Sequence, residues 1–246
     1  MTSFLALLIF AIISVSSLLV VSWANHIETR KRLIKSKLRV LKAQYEELQQ
    51  VIASVDQTVE PRAVSRILNE EAIALAESMK ELEAEDGFVI AALNNATALQ
   101  EELNREGEID RIYRIRESDT QIALAQKHLE RAAAILIKKH ALGGISSEEL
   151  NNFKQSLSWA RLMLPVLSYI AQGHQAINRG EVLPAKAYYQ KAKSALAQSS
   201  HPDKRRMAMI KELKDIVNNR RVSISEEIMP EKEYNPDLQQ SASSGQ

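Results

Sequence analysis

The chain has 246 residues, a length that suits one or two domains, and its 7 glycines and 6 prolines are too few for a turn-rich fold. It contains no cysteine, which excludes disulfides, thiolate metal sites and cysteine nucleophiles. The net charge of +1 hides a segregation, because residues 25–42 are basic, residues 43–110 acidic and residues 111–220 basic again. We expect long helices whose oppositely charged parts face each other, and the alternative is that the basic part meets a phosphate surface.

Residues 4–24 form an apolar run of 21 residues without a charged side chain. As a helix, at about 1.5 Å per residue, the run matches a hydrocarbon core of about 30 Å. A cleaved secretory signal is the competing interpretation, since Ser22 and Ala24 supply a small-x-small site. The run is longer than a signal core, however, and the basic residues follow it rather than precede it. We therefore predict an uncleaved single-pass transmembrane anchor, with Trp23 at the membrane interface.

A basic segment follows the apolar run, with seven Lys or Arg residues against one acid in residues 25–42. Because basic residues resist translocation, we predict that the N-terminus lies outside and the body in the cytoplasm, at a bacterial-type inner membrane. A cleaved or inverted chain would instead lie on the envelope side. Basic residues also attract anionic lipids, although topology alone accounts for them. We call this set the basic collar: Arg30, Lys31, Arg32, Lys35, Lys37, Arg39 and Lys42.

Apolar residues from residue 34 to residue 59 follow a heptad pattern, with alternating spacings of four and three. This pattern predicts a helix that packs along a narrow seam against another helix. The second helix could belong to the same chain, or to a second copy in a homo-oligomer formed through residues 34–59, and the sequence leaves both open. The seam consists of Ile34, Leu38, Leu41, Tyr45, Leu48, Ile52, Val55 and Val59.

Further helices are predicted after the seam, with a turn at Asp86 and a long helix over Glu108–Leu142. Ser146–Glu149 has the pattern of a capping box, which opens a buried helix interrupted at Pro165. The predicted segments are an anchor (1–25), a basic juxtamembrane and heptad helix (26–60), acidic-then-basic long helices (61–142), a helical bundle (143–220) and a disordered tail (221–246).

Four small residues and a tyrosine recur at spacings of 7, 5, 4 and 3 in residues 169–197: Gly173, Gly180, Ala185, Tyr189 and Ala192. This stretch resembles a single tetratricopeptide-type helical hairpin, in which small residues let two antiparallel helices approach. The resemblance implies protein–protein interaction rather than catalysis. No second copy occurs 34 residues away, so a repeat array is not predicted. An ordinary αα-hairpin with small residues at its crossing is the alternative.

No pattern in the sequence indicates a catalytic, cofactor or metal site. The five histidines lack partners at metal-ligand spacing, and the glycine-rich phosphate loops and the hydrolase elbow are absent. We therefore expect no enzyme activity and no cofactor. The arginines of 110–116 (DRIYRIR) and 203–207 (DKRRM) are candidate contacts with nucleic acid, without a motif that supports them.

The predicted fold class is all-α, with an N-terminal transmembrane helix, a coiled-coil-like stalk and an elongated bundle of antiparallel helices. The predicted function is a single-pass, membrane-anchored scaffold or adaptor that mediates protein–protein interaction at the cytoplasmic face, with partners unknown. The alternative is a membrane-tethered nucleic-acid-binding factor that uses the basic residues of 111–220, although contact with nucleic acid is the less favoured prediction.

Overall fold

The computed structural model describes residues 2–105, 112–221 and 223–225, with side chains described from residue 22 onward except for Ala24. These residues form seven α-helices and no strand, which confirms the all-α helical bundle. The helices are α1 (Thr2–Thr58), α2 (Arg62–Leu82), α3 (Gly87–Asn104), α4 (Asp119–Ala141), α5 (Ser147–Asn178), α6 (Val182–Gln198) and α7 (Arg205–Val217).

The transmembrane helix is the part of the predicted fold class that was wrong. Across the described residues, no helix offers an apolar stretch long enough to cross a bilayer. The physical reason lies in α1 beyond Ser22, where charged side chains follow one another from Glu28 through the basic collar. Most of the predicted span, residues 4–21 and 24, lies outside the described side chains.

The chain divides into two compact units. Unit 1 comprises Met1–Glu47 and Ile73–Asn95, and unit 2 comprises Leu48–Ala72 and Ala96–Gln246. The boundary falls inside α1, α2 and α3, so each of these helices contributes residues to both units.

The part of the heptad seam that lies in unit 1 packs against α3 of the same chain. Leu38 and Tyr45 are buried, and the Tyr45 hydroxyl donates a hydrogen bond to the Ala92 carbonyl of α3 at 2.8 Å. The Tyr45 ring also meets the edge of Phe88, with 6.1 Å between ring centroids. Burial raises the pKa of the Tyr45 hydroxyl. A homo-oligomer through residues 34–59 stays a prediction, since these contacts form within one chain and do not require a second copy.

The remaining seam positions lie in unit 2, where Leu48, Ile52, Val55 and Val59 are all buried. A buried amide joins α2 to α3 there, because Asn69 Nδ2 donates to the Ala96 carbonyl and to Gln100 Oε1, each at 2.8 Å. These bonds satisfy a polar group that burial would otherwise leave without water.

The long helix predicted over Glu108–Leu142 begins only at Asp119, because backbone amides of the residues before it donate hydrogen bonds to partners far away in the sequence. The Tyr113 amide donates to the Gln57 carbonyl and the Arg116 amide to Ser168 Oγ, both at 2.8 Å. Ser118 then caps α4 by accepting from the Gln121 amide. The first part of the predicted helix, up to residue 111, lies outside the described residues.

Helix α5 begins at the predicted capping box, which is confirmed: Ser146 and Glu149 exchange hydrogen bonds between side chain and backbone. Pro165 lies inside α5 and has no amide hydrogen to give to the Arg161 carbonyl. Gln126 of α4 supplies the missing donor, with 3.2 Å from its Nε2 to that carbonyl. The proline therefore costs α5 one internal bond, which a neighbouring helix replaces.

An apolar core of unit 2 joins α5, α6 and α7. It also takes in Ile115 from the segment before α4 and Ile224 from the end of the described chain. Ser225 follows, and its amide donates to Glu212 at 2.9 Å. The rest of the predicted disordered tail (221–246), namely residues 222 and 226–246, lies outside the described residues. Large core side chains include Trp159, Met163, Leu167, Ile170, Leu196, Met209 and Leu213.

Candidate protein-interaction site in unit 2

Helices α5 and α6 approach closely at Gly173. A Cβ atom built on Gly173 would lie 2.5 Å from Tyr189 Cε1, far inside the distance that real side chains tolerate. Tyr189 is buried, and Ala185 and Ala192 are fully buried on the same helix. Gly173 and Tyr189 therefore meet at the α5–α6 crossing, where no side chain fits opposite the tyrosine ring, and Ala185 and Ala192 belong to the same buried core.

The fifth hairpin residue, Gly180, lies in the turn between α5 and α6. Its φ of +78° falls in the left-handed region that side chains other than glycine rarely adopt. Its amide donates to the Ile177 carbonyl, and the amide of Glu181 donates to the Ala176 carbonyl, both at 2.8 Å. These bonds close the end of α5 and reverse the chain.

The crossing also buries a polar group at a cost. Within the described part of the chain, the Tyr189 hydroxyl has no hydrogen-bond partner. Its ring meets the edge of the buried His174 ring at 5.6 Å between centroids. Burial raises the pKa of Tyr189 far above its usual range, so the phenol is neutral at any physiological pH. Packing at the crossing is therefore tight but not optimal for stability.

A groove with an apolar floor lies between α4 and α5. Its cavity volume is about 400 Å³, and Leu129 and Leu157 are its large apolar side chains. Ala133 and Ser158 leave space because their side chains are small. One edge carries an ion pair between Arg161 and Glu130 at 2.8 Å. The full lining is Leu129, Glu130, Ala133, Lys154, Gln155, Leu157, Ser158 and Arg161.

The apolar surface of the groove continues along α4. Ile137 follows Ala133 by four residues and Glu130 by seven, so helical spacing places it on the same face. Its side chain is 47% exposed. Sequence reasoning missed this groove, and Ile137 was the available signal, because it directly follows two other large apolar residues and three in succession cannot share one narrow helix face.

The basic collar lies elsewhere, on α1 in unit 1. Six of its members are exposed, and only Lys42 is half-buried. Lys42 donates to Asp86 at 2.7 Å and lies 4.9 Å from the centre of the Phe88 ring. The hydrogen bond from Lys42 lowers the pKa of Asp86. Lys42 therefore has a structural role, whereas the other six collar residues face solvent.

The arginines proposed as contacts with nucleic acid are bound within unit 2. Arg114 is buried, and its Nε donates to the Thr58 carbonyl at 2.8 Å while its Nη2 lies 3.1 Å from Glu60. Arg116 Nη1 donates to the Ile115 carbonyl at 2.8 Å. Arg111 lies outside the described residues. Arg114 and Arg116 therefore form hydrogen bonds within the chain and stabilise the stretch 112–116.

The second basic stretch behaves in the same way. Arg205 pairs with Glu60 at 2.9 Å and with Asp203 at 2.8 Å, and its guanidinium lies 4.7 Å from the centre of the Trp159 ring. Arg206 donates to the Leu196 carbonyl at the end of α6. These bonds leave few free donors for phosphate oxygens.

Among the described residues, no three His, Asp or Glu side chains are grouped so that they could hold a metal ion. Comparison with known proteins adds no residue roles: no family model, no curated protein and no solved structure matches the chain. The α4–α5 groove is therefore the candidate site on its geometry alone.

Proposed function

We propose that this chain is a helical adaptor that binds an amphipathic helix of a partner protein in the α4–α5 groove. The observation that carries the proposal is an open, apolar-floored groove between two helices, about 400 Å³ in volume, with charged residues at its edges. Helix-in-groove recognition uses this combination, in which apolar anchors enter the groove and polar residues fix the register.

The charges at the edges indicate the chemistry of the partner. Arg161 is already paired with Glu130, whereas Lys154 has no ion pair within the described residues. We infer that the partner helix places an acidic residue beside Lys154 and apolar residues against Leu129 and Leu157. A pair at the exposed edge adds specificity more than affinity, so the apolar anchors supply most of the binding free energy.

The resemblance of residues 169–197 to a tetratricopeptide-type hairpin supports the same class of function, since such hairpins bind proteins. The proposed adaptor needs neither catalysis nor a transmembrane helix, and the predicted location at the inner membrane stays a prediction.

The test compares two neighbouring alanines of α4. Ala133 lines the groove, whereas Ala134 is exposed outside it. Photo-crosslinking in the source cells from position 158, in the groove, identifies the partner, and position 204, just before α7, serves as the control position. Binding of the purified partner is then measured for the wild type, Ala133→Arg and Ala134→Arg.

We expect Ala133→Arg to weaken binding by about 30-fold or more, because a long charged side chain would fill the space for a central anchor. Ala134→Arg should bind as the wild type does. Thermal unfolding of both variants checks that the fold is intact. Equal losses in both variants, or an adduct formed equally from positions 158 and 204, would contradict the proposal.

A further inference from the structure

Helix α1 carries a second stripe of side chains, distinct from the buried heptad seam. Its members recur at spacings of 3, 4, 3, 4 and 3, so they share one face of the helix. All of them are exposed, including three large apolar side chains, which are 69%, 66% and 54% exposed at Trp23, Leu33 and Val40. We call this set the outer stripe: Trp23, His26, Arg30, Leu33, Lys37 and Val40.

The cations of this region are available to a ligand. In the described part of the chain, neither Arg30 nor Lys37 of the outer stripe has an ion pair, and the same is true of Lys31, Lys35 and Arg39 beside it. Arg32, by contrast, pairs with Glu28 at 2.7 Å within the helix. Five unpaired cations within ten residues create a strongly positive surface.

We propose that the outer stripe binds the surface of a bilayer that contains anionic phospholipids. Arg30 and Lys37 contact phosphate groups, while Trp23, Leu33 and Val40 enter the boundary between headgroups and acyl chains. A helix face that alternates basic and apolar residues suits a surface that offers both chemistries at the same depth. The helix lies along the surface, so this contact needs no membrane-spanning segment.

Charge complementarity separates this occupant from a second copy of the chain. Two outer stripes packed in parallel would place Arg30 opposite Arg30 and Lys37 opposite Lys37, and like charges at such a seam oppose association. A phosphate-rich lipid surface meets the same cations with opposite charge. Nucleic acid also offers phosphate groups, but it has no apolar layer that Leu33 and Val40 could enter. Binding to nucleic acid is therefore one of the outcomes that the test distinguishes.

The main test is flotation of the full chain with unilamellar vesicles, either of phosphatidylcholine alone or of phosphatidylcholine with phosphatidylglycerol. The ratio of the two affinities isolates the electrostatic contribution from any other binding to lipid. We expect Arg30→Gln/Lys37→Gln to lower that ratio by about 30-fold, since each base near an anionic surface contributes about fivefold. The control Lys204→Gln/Lys211→Gln removes two exposed charges, one just before α7 and one within it, and should leave the ratio within about twofold.

Three results of the flotation experiment would overturn the proposal. The wild type could bind both kinds of vesicle equally, the α7 control could lose as much affinity as the α1 variant, or the α1 variant could bind as the wild type does. Binding of single- or double-stranded oligonucleotides more tightly than anionic vesicles at equal salt would also overturn it. Circular dichroism of both variants verifies that helical content is unchanged.

The two tryptophans allow a second, independent measurement. Trp159 is buried and only 4% exposed, so Trp159→Phe leaves Trp23 as the single emitting tryptophan. On addition of anionic vesicles, we expect the Trp23 emission to shift to shorter wavelength and acrylamide quenching to fall. An unchanged spectrum with bound vesicles would show that the outer stripe does not meet the lipid. This result is independent of the α4–α5 groove, so it leaves the proposed function untouched.

Discussion

In unit 1 six of the seven collar residues are exposed, and most of the seven have no acidic partner, whereas in unit 2 Arg114, Arg205 and Arg206 are held by carboxylates, backbone carbonyls and an aromatic ring. Both regions look basic in the sequence. The comparison teaches that the number of positive charges in a segment does not measure the charge available to a partner. Hydrogen bonds within the fold decide which cations are free.

The two units also differ in how they bury a tyrosine. Tyr45 in unit 1 donates its hydroxyl to the Ala92 carbonyl, whereas the Tyr189 hydroxyl in unit 2 has no partner among the described residues. Tyr189 instead fills the space left by Gly173. A matched change in unit 1 therefore serves as the control for each change in unit 2.

The largest expected effect is at the helix crossing. Gly173→Leu should lower the free energy of unfolding by about 3 kcal/mol, because the new side chain collides with the buried ring of Tyr189. Gly87→Ala is the matched change in unit 1, where a Cβ atom has no neighbour within 4 Å. It should be neutral or stabilising by up to about 1 kcal/mol. Chemical denaturation measures both, and a similar loss at the two glycines would refute the close approach of α5 and α6.

The next effect contrasts a buried and an exposed arginine. Arg114→Gln should cost about 2–3 kcal/mol, because it removes a charged hydrogen bond to the Thr58 carbonyl and the pair with Glu60. Arg39→Gln in the collar should change stability by less than about 0.5 kcal/mol. Urea unfolding curves of the two variants give the comparison directly, and a stable Arg114→Gln protein would mean that the stretch 112–116 is not held by this side chain.

The two buried tyrosines should respond with opposite signs. Tyr45→Phe removes a made hydrogen bond and should destabilise the protein by about 1 kcal/mol. Tyr189→Phe removes a buried hydroxyl without a partner and should be neutral or stabilising by about 1 kcal/mol. The midpoints of thermal unfolding of the two variants test the signs, and destabilisation by Tyr189→Phe would reveal a partner for that hydroxyl.

The smallest effect is a pH dependence. Partial burial acts to raise the pKa of Glu60, but the hydrogen bond from Arg205 and the charges of Arg114 and Arg205 outweigh it, and the pKa of Glu60 is lowered. A lowered folded-state pKa stabilises the protein above the unfolded value near 4.5, and this stability is lost as the pH falls through the folded value.

The stability difference between the wild type and Glu60→Gln should therefore be at most about 1 kcal/mol at pH 7, since the carboxylate is half exposed, and should shrink below about pH 4.5. Asp86→Asn is the matched change in unit 1. The pKa of Asp86 is also lowered, by Lys42, so the same direction is expected. Unfolding curves from pH 7 to pH 3 measure both differences. If the stability difference between the wild type and Glu60→Gln grew as the pH fell, the prediction would be contradicted.

Local sequence patterns predicted the helices, because helical periodicity and helix capping depend on residues that are close together in the sequence. The heptad spacing located the buried face of α1, and Ser146 and Glu149 marked the start of α5 within a few residues. The start of α4 was not predictable in this way. The amides of Tyr113 and Arg116 bond to Gln57 and Ser168, more than fifty positions away, and no helical period reports such partners.

The transmembrane prediction and the missed groove have different causes. The first rested on residues 4–24, most of whose side chains lie outside the described part, while the described remainder of α1 is too rich in charges. The groove exists only because α4 and α5 lie side by side. Ala133 and Ser158 line the same surface in the fold, although they are far apart in the sequence.

The anchoring of residues 112–116 has a consequence for the order of folding. Helices α5, α6 and α7 follow one another with short turns, so their packing closes small loops and should form early. The bond from Tyr113 to Gln57 instead closes a loop of more than fifty residues, whose entropy must be lost before the bond forms. The barrier to folding of unit 2 is therefore expected to lie in the docking of this short non-helical stretch, and the α5–α6 hairpin would already be in place when it docks.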